Sequence, residues 1–292
     1  MDHMTAKVSC FARAYHHKNN QVCIFDDPMA EKLLGNEYEQ IAENMAAGVK
    51  FFLPDFKGTK EEGLRLIVDR QLSPSVLGRS VFCEEKLSEA VKQGCSQYLL
   101  FASGYDTFAL RNLESFLSIY ELDFPELLAD KRMRIKRAHL KSASVDVPCN
   151  LGEISWKQKL LETGYHQTEK AFGSLLGISY YLRKEEFEQL LKNVHEIMTE
   201  GSMICFDYPS VDESKETKTN QVLASGAGEQ MKILYSYEEL EALLERCGFK
   251  VMEHLEHRGM TDRYFKEYNQ NNPMYPMRAP KGVGYVLASD LE

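Results

Sequence analysis

The stretch with the clearest chemical potential is Phe101-Ala102-Ser103-Gly104-Tyr105-Asp106-Thr107, with Asp123 following Gly104 by 19 positions. Gly104 lets the main chain approach a ligand with no side chain in the way. A carboxylate such as Asp123, at the end of a second strand in Glu121-Leu122-Asp123-Phe124-Pro125, can accept hydrogen bonds from both hydroxyls of a ribose. Together they point to a ligand that contains a nucleoside.

The charges narrow that ligand. A dinucleotide such as NAD favours G-x-G-x-x-G, because its pyrophosphate packs on bare backbone at a helix start. Those glycines are missing here, and Asp106 would set a negative charge beside the phosphate. S-adenosylmethionine has no phosphate and carries a sulfonium and an ammonium, so an acidic turn suits it better. Tyr180-Tyr181-Leu182-Arg183-Lys184 matches the Y-x-x-x-K pair of short-chain dehydrogenases. Without the glycine motif that match is read as coincidence.

These groups need a scaffold. Tyr98–Ala102 is a short, wholly apolar run ending at Ser103-Gly104, as expected for a strand buried on both faces of a parallel sheet. Further strands are predicted at 117–122, 145–149, 172–178, 203–208, 249–254 and 283–288. Helices are predicted at 125–140, 184–199 and 238–246, the second from its amphipathic spacing. Alternating strands and helices predict an α/β fold, a doubly wound and mostly parallel sheet with right-handed crossovers. Residues 1–95 read as a helical cap, with helices at 30–47 and 84–91, and residues 96–292 as the Rossmann-like core. Within the core, the polar segment 209–230 reads as an inserted loop or lid.

Composition sets limits. The 292 residues hold 35 basic and 44 acidic side chains, a net charge of −9, which disfavours non-specific nucleic-acid binding. There is no apolar run of about 18 residues, so no membrane span is expected. The N-terminus lacks the basic and apolar regions of a secretory signal. Seven scattered cysteines with no C-x-x-C argue for free thiols in a reducing cytoplasm, and against a disulfide frame or zinc site. His16-His17 and His254/His257 read as surface histidines and not metal ligands. The basic run Lys131, Arg132, Arg134, Lys136, Arg137 and Lys141 reads as a solvated helix face. Met274-Tyr275-Pro276-Met277 is read as packing over a substrate cleft or bracing a turn.

The chain resembles the leucine carboxyl methyltransferase family, including its bacterial polyketide-type O-methyltransferase branch. The matches run in order along nearly the whole sequence. They comprise Phe11-Ala12-Arg13-Ala14-Tyr15, Asp26-Asp27-Pro28, Arg79, Ser103-Gly104-Tyr105-Asp106-Thr107-Phe108 with Arg111, Glu121-Leu122-Asp123-Phe124-Pro125, Tyr180-Tyr181-Leu182 and Phe206-Asp207-Tyr208. The resemblance implies a seven-stranded class I methyltransferase fold using S-adenosylmethionine. Carried over by position, Arg79 would pair with the methionine carboxylate, for which a planar guanidinium is suited. An ion pair from Arg79 to Glu84 or Glu85 is the competing role, and Lys7 is a second candidate for the carboxylate. Ala102, Ser103 and Gly104 would line the methionine moiety, Asp123 would hold the ribose, and Asp106 belongs to the same cofactor-binding set. Asn150 and Leu151 would meet the adenine, and Tyr180 or Tyr181 would orient an acceptor oxygen.

Three positions depart from the family pattern. Ala102 stands for the first glycine of G-A-G, Asn150 for an aspartate, and Leu176 for an acid near the fourth strand's end. The expected reaction is methyl transfer to a carboxylate or acidic hydroxyl, with a small-molecule methyl acceptor favoured over a protein C-terminal carboxylate. A nicotinamide-dependent oxidoreductase and a non-catalytic S-adenosylmethionine-binding relative are the alternatives.

Overall fold

Strand β1 (Gln97–Phe101) is apolar after Gln97 because both of its faces are covered, and the buried Gln97 amide donates to the His166 carbonyl at 2.8 Å. Its side chains alternate, as a pleat requires. Tyr98 and Leu100 join one core, while Leu99 and Phe101 join the other. In the computed structural model, which describes residues 3–112, 116–211 and 234–291, β1 lies within a seven-stranded sheet. The other strands are β2 (Ser118–Asp123), β3 (Val145–Pro148), β4 (Ala171–Leu175), β5 (Met203–Pro209), β6 (Phe249–Leu255) and β7 (Val283–Asp290). Their order is β3-β2-β1-β4-β5-β7-β6, and only the pairings of β7 are antiparallel. The doubly wound α/β sheet expected from the strand–helix alternation is the observed one.

Six helices lie at the N-terminus: α1 (Met4–Asn19), α2 (Ala30–Leu34), α3 (Glu37–Ala47), α4 (Val49–Phe52), α5 (Lys60–Ile67) and α6 (Ser73–Lys92). Then follow α7 (Phe108–Arg111), α8 (Pro125–Arg137), α9 (Trp156–Leu161), α10 (Lys184–His195), α11 (Tyr237–Arg246), α12 (His257–Met260) and α13 (Lys266–Asn271). Helices α9, α10 and α11 cover the sheet face of Leu99 and Phe101. Helix α6 packs Leu77, Phe82 and Leu87 on the opposite face, so it belongs to the sheet's flank although it precedes residue 95. Helices α1, α2 and α3 share a third core with Tyr105, Leu127 and Ile135, which sets them over the β1–α7 turn and α8.

Several local expectations are corrected. The stretch 30–47 is two helices, because the chain reverses at Gly35. The short helix at 84–91 is the end of the 20-residue α6. β4 stops at Leu175, and residues 176–178 leave the sheet. The basic run on α8 is not uniformly solvated. Lys131 is buried against Glu121, and Arg134 is buried, 2.6 Å from Glu37 and stacked on the Tyr105 ring. Long cationic side chains reached inward because acids from β2 and α3 were there to pair with them. His16 is likewise fully buried, its Nε2 accepting the Ile24 N–H at 2.9 Å. Burial, with Arg65 nearby, lowers its pKa to about 3, so it stays neutral. Tyr275 lies under the Arg65 guanidinium at 4.6 Å, so the 274–277 segment braces α5. The predicted lid lies outside the described residues beyond Val211. Among the described residues no helix is long and apolar enough to cross a membrane.

Candidate active site

The carboxyl ends of β1, β2, β3 and β4 open onto one cavity of about 820 Å³. That is near the upper end of the size range of small-molecule sites, and it lies where doubly wound sheets bind ligands. Helix α1 forms one wall with Thr5, Ser9 and Arg13, spaced four residues apart on a single face. Ala102, Ser103, Gly104, Asp106, Asp123, Asn150, Leu151, Leu176, Arg79 and Tyr181 all line it.

The first turn is built around unusual backbone. Ala102 and Gly104 both have positive φ, 54° and 51°. Gly104 tolerates this freely, and a Cβ there would come within 3.4 Å of the Ala6 methyl on α1. Its N–H donates to Asp123 Oδ2 at 2.7 Å, and the Phe124 N–H donates to Asp123 Oδ1 at 2.7 Å. Burial pushes the Asp123 carboxyl above the usual carboxylate range, while these two bonds and Lys131 hold it back. Ser103 is 7% exposed and its Oγ has no hydrogen-bond partner among the described residues. A buried polar atom in a cavity wall normally has a partner, and a ligand there would supply one. Asp106 Oδ1 accepts the Phe108 N–H at 2.7 Å and so starts α7.

Ala102 carries a strain that glycine would not. A left-handed L-residue costs about 1–2 kcal/mol, partly offset by the greater unfolded-chain entropy of glycine. Ala102→Gly is therefore expected to raise stability by about 0.5–1 kcal/mol net. Denaturant unfolding checks this; a less stable variant would show that the methyl group repays its strain by packing.

Behind the turn sits a charged network. Asp27 is fully buried and accepts from Arg13 Nε at 2.8 Å and Thr107 Oγ1 at 2.6 Å. Arg13 Nη2 donates to the Tyr105 carbonyl at 2.7 Å. Arg111 donates to Thr107 Oγ1 at 3.1 Å and to Glu84 at 3.0 Å. Burial works to raise the Asp27 pKa, but Arg13, Arg111 and the Thr107 hydroxyl hold it below the usual carboxylate range. The sequence motifs around Arg13, Asp27 and Thr107–Arg111 are thus one structural unit, tying α1 to the ligand-facing turn.

At β4 a second anchor appears. Asp207, fully buried on β5, accepts the Gly177 N–H at 2.6 Å and the Tyr180 hydroxyl at 3.0 Å. Arg79 Nη1 lies 3.5 Å from the same carboxylate, and its Nη2 donates to Ser9 Oγ at 3.3 Å. Gly177 has φ +68°, and a Cβ there would meet Arg79 Nη1 at 2.7 Å. Arg79 therefore faces the cavity, while Glu84 pairs with Arg111.

Two expected site residues do not reach the cavity wall. Lys7 turns to Glu37 on α3 at 2.9 Å. Tyr180 points into Asp207, and burial raises its pKa well above the ordinary value. Asn150 lines the cavity with its Oδ1 already accepting the Gly152 N–H at 3.0 Å. Sequence reasoning missed Ser9 and Arg13 as wall residues, and also Glu185, Glu186, Gln189 and Asn193 on α10. The signal for the last group was present, since Glu185, Gln189 and Asn193 recur every fourth residue along one helix face.

The model for leucine carboxyl methyltransferases matches residues 6–195, and the chain belongs to that family of S-adenosylmethionine-dependent methyltransferases. It is 33% identical over 290 residues to a Bacillus subtilis protein named "Putative S-adenosyl-L-methionine-dependent methyltransferase YktD", covering 92% of this chain and 93% of that one. A Frankia alni protein of the same named class is 29% identical over 146 residues, covering 48% of this chain and 52% of its own length. Among solved structures, a DUF574 family protein from Streptomyces avermitilis aligns with a TM-score of 0.61 at 12% identity, covering 98% and 97% of the two chains. A "putative methyltransferase" from Thermobifida fusca aligns at 0.56 with 13% identity, covering 90% and 93%. These two likenesses concern the fold. Family membership sets aside the nicotinamide-dependent oxidoreductase.

Proposed function

We propose that this protein transfers a methyl group from S-adenosylmethionine to a carboxylate or acidic hydroxyl of a small molecule. The observation that carries the proposal is the pairing of bare backbone at Gly104 with the anchored Asp123 carboxylate and the unpartnered Ser103 hydroxyl, all in one cavity. That donor and acceptor set fits a cationic thioether nucleoside and gives no cradle for a pyrophosphate. The name of YktD supports the same cofactor.

In this reading the lone pairs that Asp123 keeps free accept the ribose hydroxyls. Ala102, Ser103, Gly104 and Asp106 line the methionine portion, and Arg79 pairs with its carboxylate. Asn150 and Leu151 take the adenine, and Leu176 gives an apolar wall where relatives carry an acid. Tyr181 is left to orient the acceptor oxygen, since Tyr180 is committed to Asp207. When bound, S-adenosylmethionine supplies an electrophilic methyl on a sulfonium.

A carboxylate acceptor, with a pKa near 4, is already ionised at neutral pH and needs no base. The wall agrees with that economy. Among its described residues His3 is the one imidazole, Asp106, Asp123 and Glu186 are hydrogen-bonded, and Glu185 stands on α10, on the far side of β1 from Asp123. The protein's part is then to hold two reactants in line, a contribution made by positioning.

Methyl-labelled S-adenosylmethionine and a metabolite extract test this. Label in small molecules that mild alkali releases as methanol identifies an ester, and a methyl ether identifies an acidic hydroxyl; either supports the proposal. Methyl groups on nitrogen or carbon, or label confined to protein, would overturn it.

A further inference from the structure

Resting on that function, a second assignment concerns the acceptor. In the sheet order, the groups proposed to hold the nucleoside stand at the ends of β3, β2 and β1. Helix α10 leaves from β4, on the other side of β1, and forms the cavity wall there with Glu185, Gln189 and Asn193. Residues four apart share a helix face, and eight residues at 1.5 Å each make a stripe about 12 Å long.

The chemistry of the stripe is unspent. Glu185 is exposed at its upper end and has neither an ion pair nor a hydrogen bond among the described residues. Its neighbours are committed, Lys184 to Glu239 and Glu186 to Arg183. Asn193, at the other end, is 4% exposed; its Oδ1 accepts from Gln189 Nε2 at 3.2 Å, while its Nδ2 meets no acceptor among the described residues. The arginines of the cavity cannot balance Glu185. Arg13 is bound to Asp27 and Arg79 lies against Asp207 and Ser9. Arg183, two residues before Glu185, feels its charge but is hydrogen-bonded to Glu186. A carboxylate with no direct partner, on the same helix face as an amide pair with spare donor and acceptor capacity, is a subsite for a cation with hydrogen-bonding groups.

We propose that Glu185 selects a methyl acceptor bearing an amino or other cationic group, with Gln189 and Asn193 bonding the adjoining part of that molecule. Glu185 is a positioning residue here. It acts on where the acceptor sits and has no part in the methyl step.

A metabolite extract is split on a cation exchanger at low pH, and each fraction is offered to the protein with methyl-labelled S-adenosylmethionine. Label is expected in the retained fraction. With that fraction as acceptor, Glu185→Gln should raise KM about three- to fivefold, the loss of one solvent-screened charge-assisted contact, with kcat little changed. The Kd for S-adenosylhomocysteine should be unchanged in the variant. A first-turn glutamate also favours the helix dipole. If that were its whole role, Glu185→Gln would shift the unfolding midpoint and leave KM alone, which overturns the assignment. Label in the unretained fraction alone overturns it too, while leaving the methyltransferase standing. No label in either fraction would defeat the small-molecule reading on which it rests.

Discussion

Asp27→Ala is expected to cost the fold about 3–5 kcal/mol, the range for breaking a buried ion pair by removing one partner. Asp27 has no exposure and is the common acceptor for Arg13 and Thr107, with Arg111 at 3.5 Å and the Met29 and Ala30 N–H groups as further donors. Its loss would leave the buried Arg13 guanidinium without its hydrogen-bonded counter-charge. Chemical unfolding at neutral pH measures the cost, and a loss under about 1 kcal/mol would show that water takes over the pairing. The wild type should show the same interaction through pH. The Asp27 pKa is lower folded than unfolded, so its contribution is complete above the unfolded value near 4. It is lost as pH falls through the lower folded value. Acid unfolding of the wild type should accordingly steepen below pH ~4, and Asp27→Ala should lack that component.

The second large effect is on ligand binding. Asp123→Ala is expected to weaken S-adenosylmethionine binding by about 1–3 kcal/mol, roughly 5- to 150-fold in Kd. Two losses combine. The ribose hydroxyls lose a charged acceptor, and the Gly104 and Phe124 N–H groups lose the oxygens that hold the turn in shape. Asp123→Asn separates them, since its amide keeps the volume and one carbonyl acceptor. Calorimetry with S-adenosylhomocysteine reads the affinity, and unfolding reads the turn. Unchanged affinity in a folded Asp123→Ala protein would remove this carboxylate from the ligand.

The two predictions probe opposite sides of one turn. Asp123 holds it from β2 through the Gly104 amide, and Arg13 holds it from α1 through the Tyr105 carbonyl. A ligand-facing backbone with φ +54° at an alanine persists because both flanks restrain it. This accounts for the buried polar network of Arg13, Asp27 and Thr107 behind the turn.

Much of this was legible from residue order. The apolar run at 98–102, the acid closing β2 and the glycine between them are local features, and the continuous apolar run with strand-end chemistry put them at the carboxyl ends of two neighbouring parallel strands, as the structure has them. Helix boundaries were less legible where the chain turns on a single glycine, as at Gly35, or where a polar start hides a long helix, as in α6.

Local sequence determined the strands, their alternation with helices and the presence of a nucleoside-sized site at the ends of β1 and β2, because those depend on the side chains of neighbouring residues. Tertiary structure decided which cations serve the cavity. Arg79 and Arg13 face it while Lys7 pairs away from it, and the polar stripe of α10 becomes a wall. The contacts responsible join positions as far apart as Arg13 and Tyr105, or Asp27 and Thr107, 92 and 80 residues distant. Such pairings follow from how helices dock on the finished sheet, and the spacing of residues along the chain does not encode that docking.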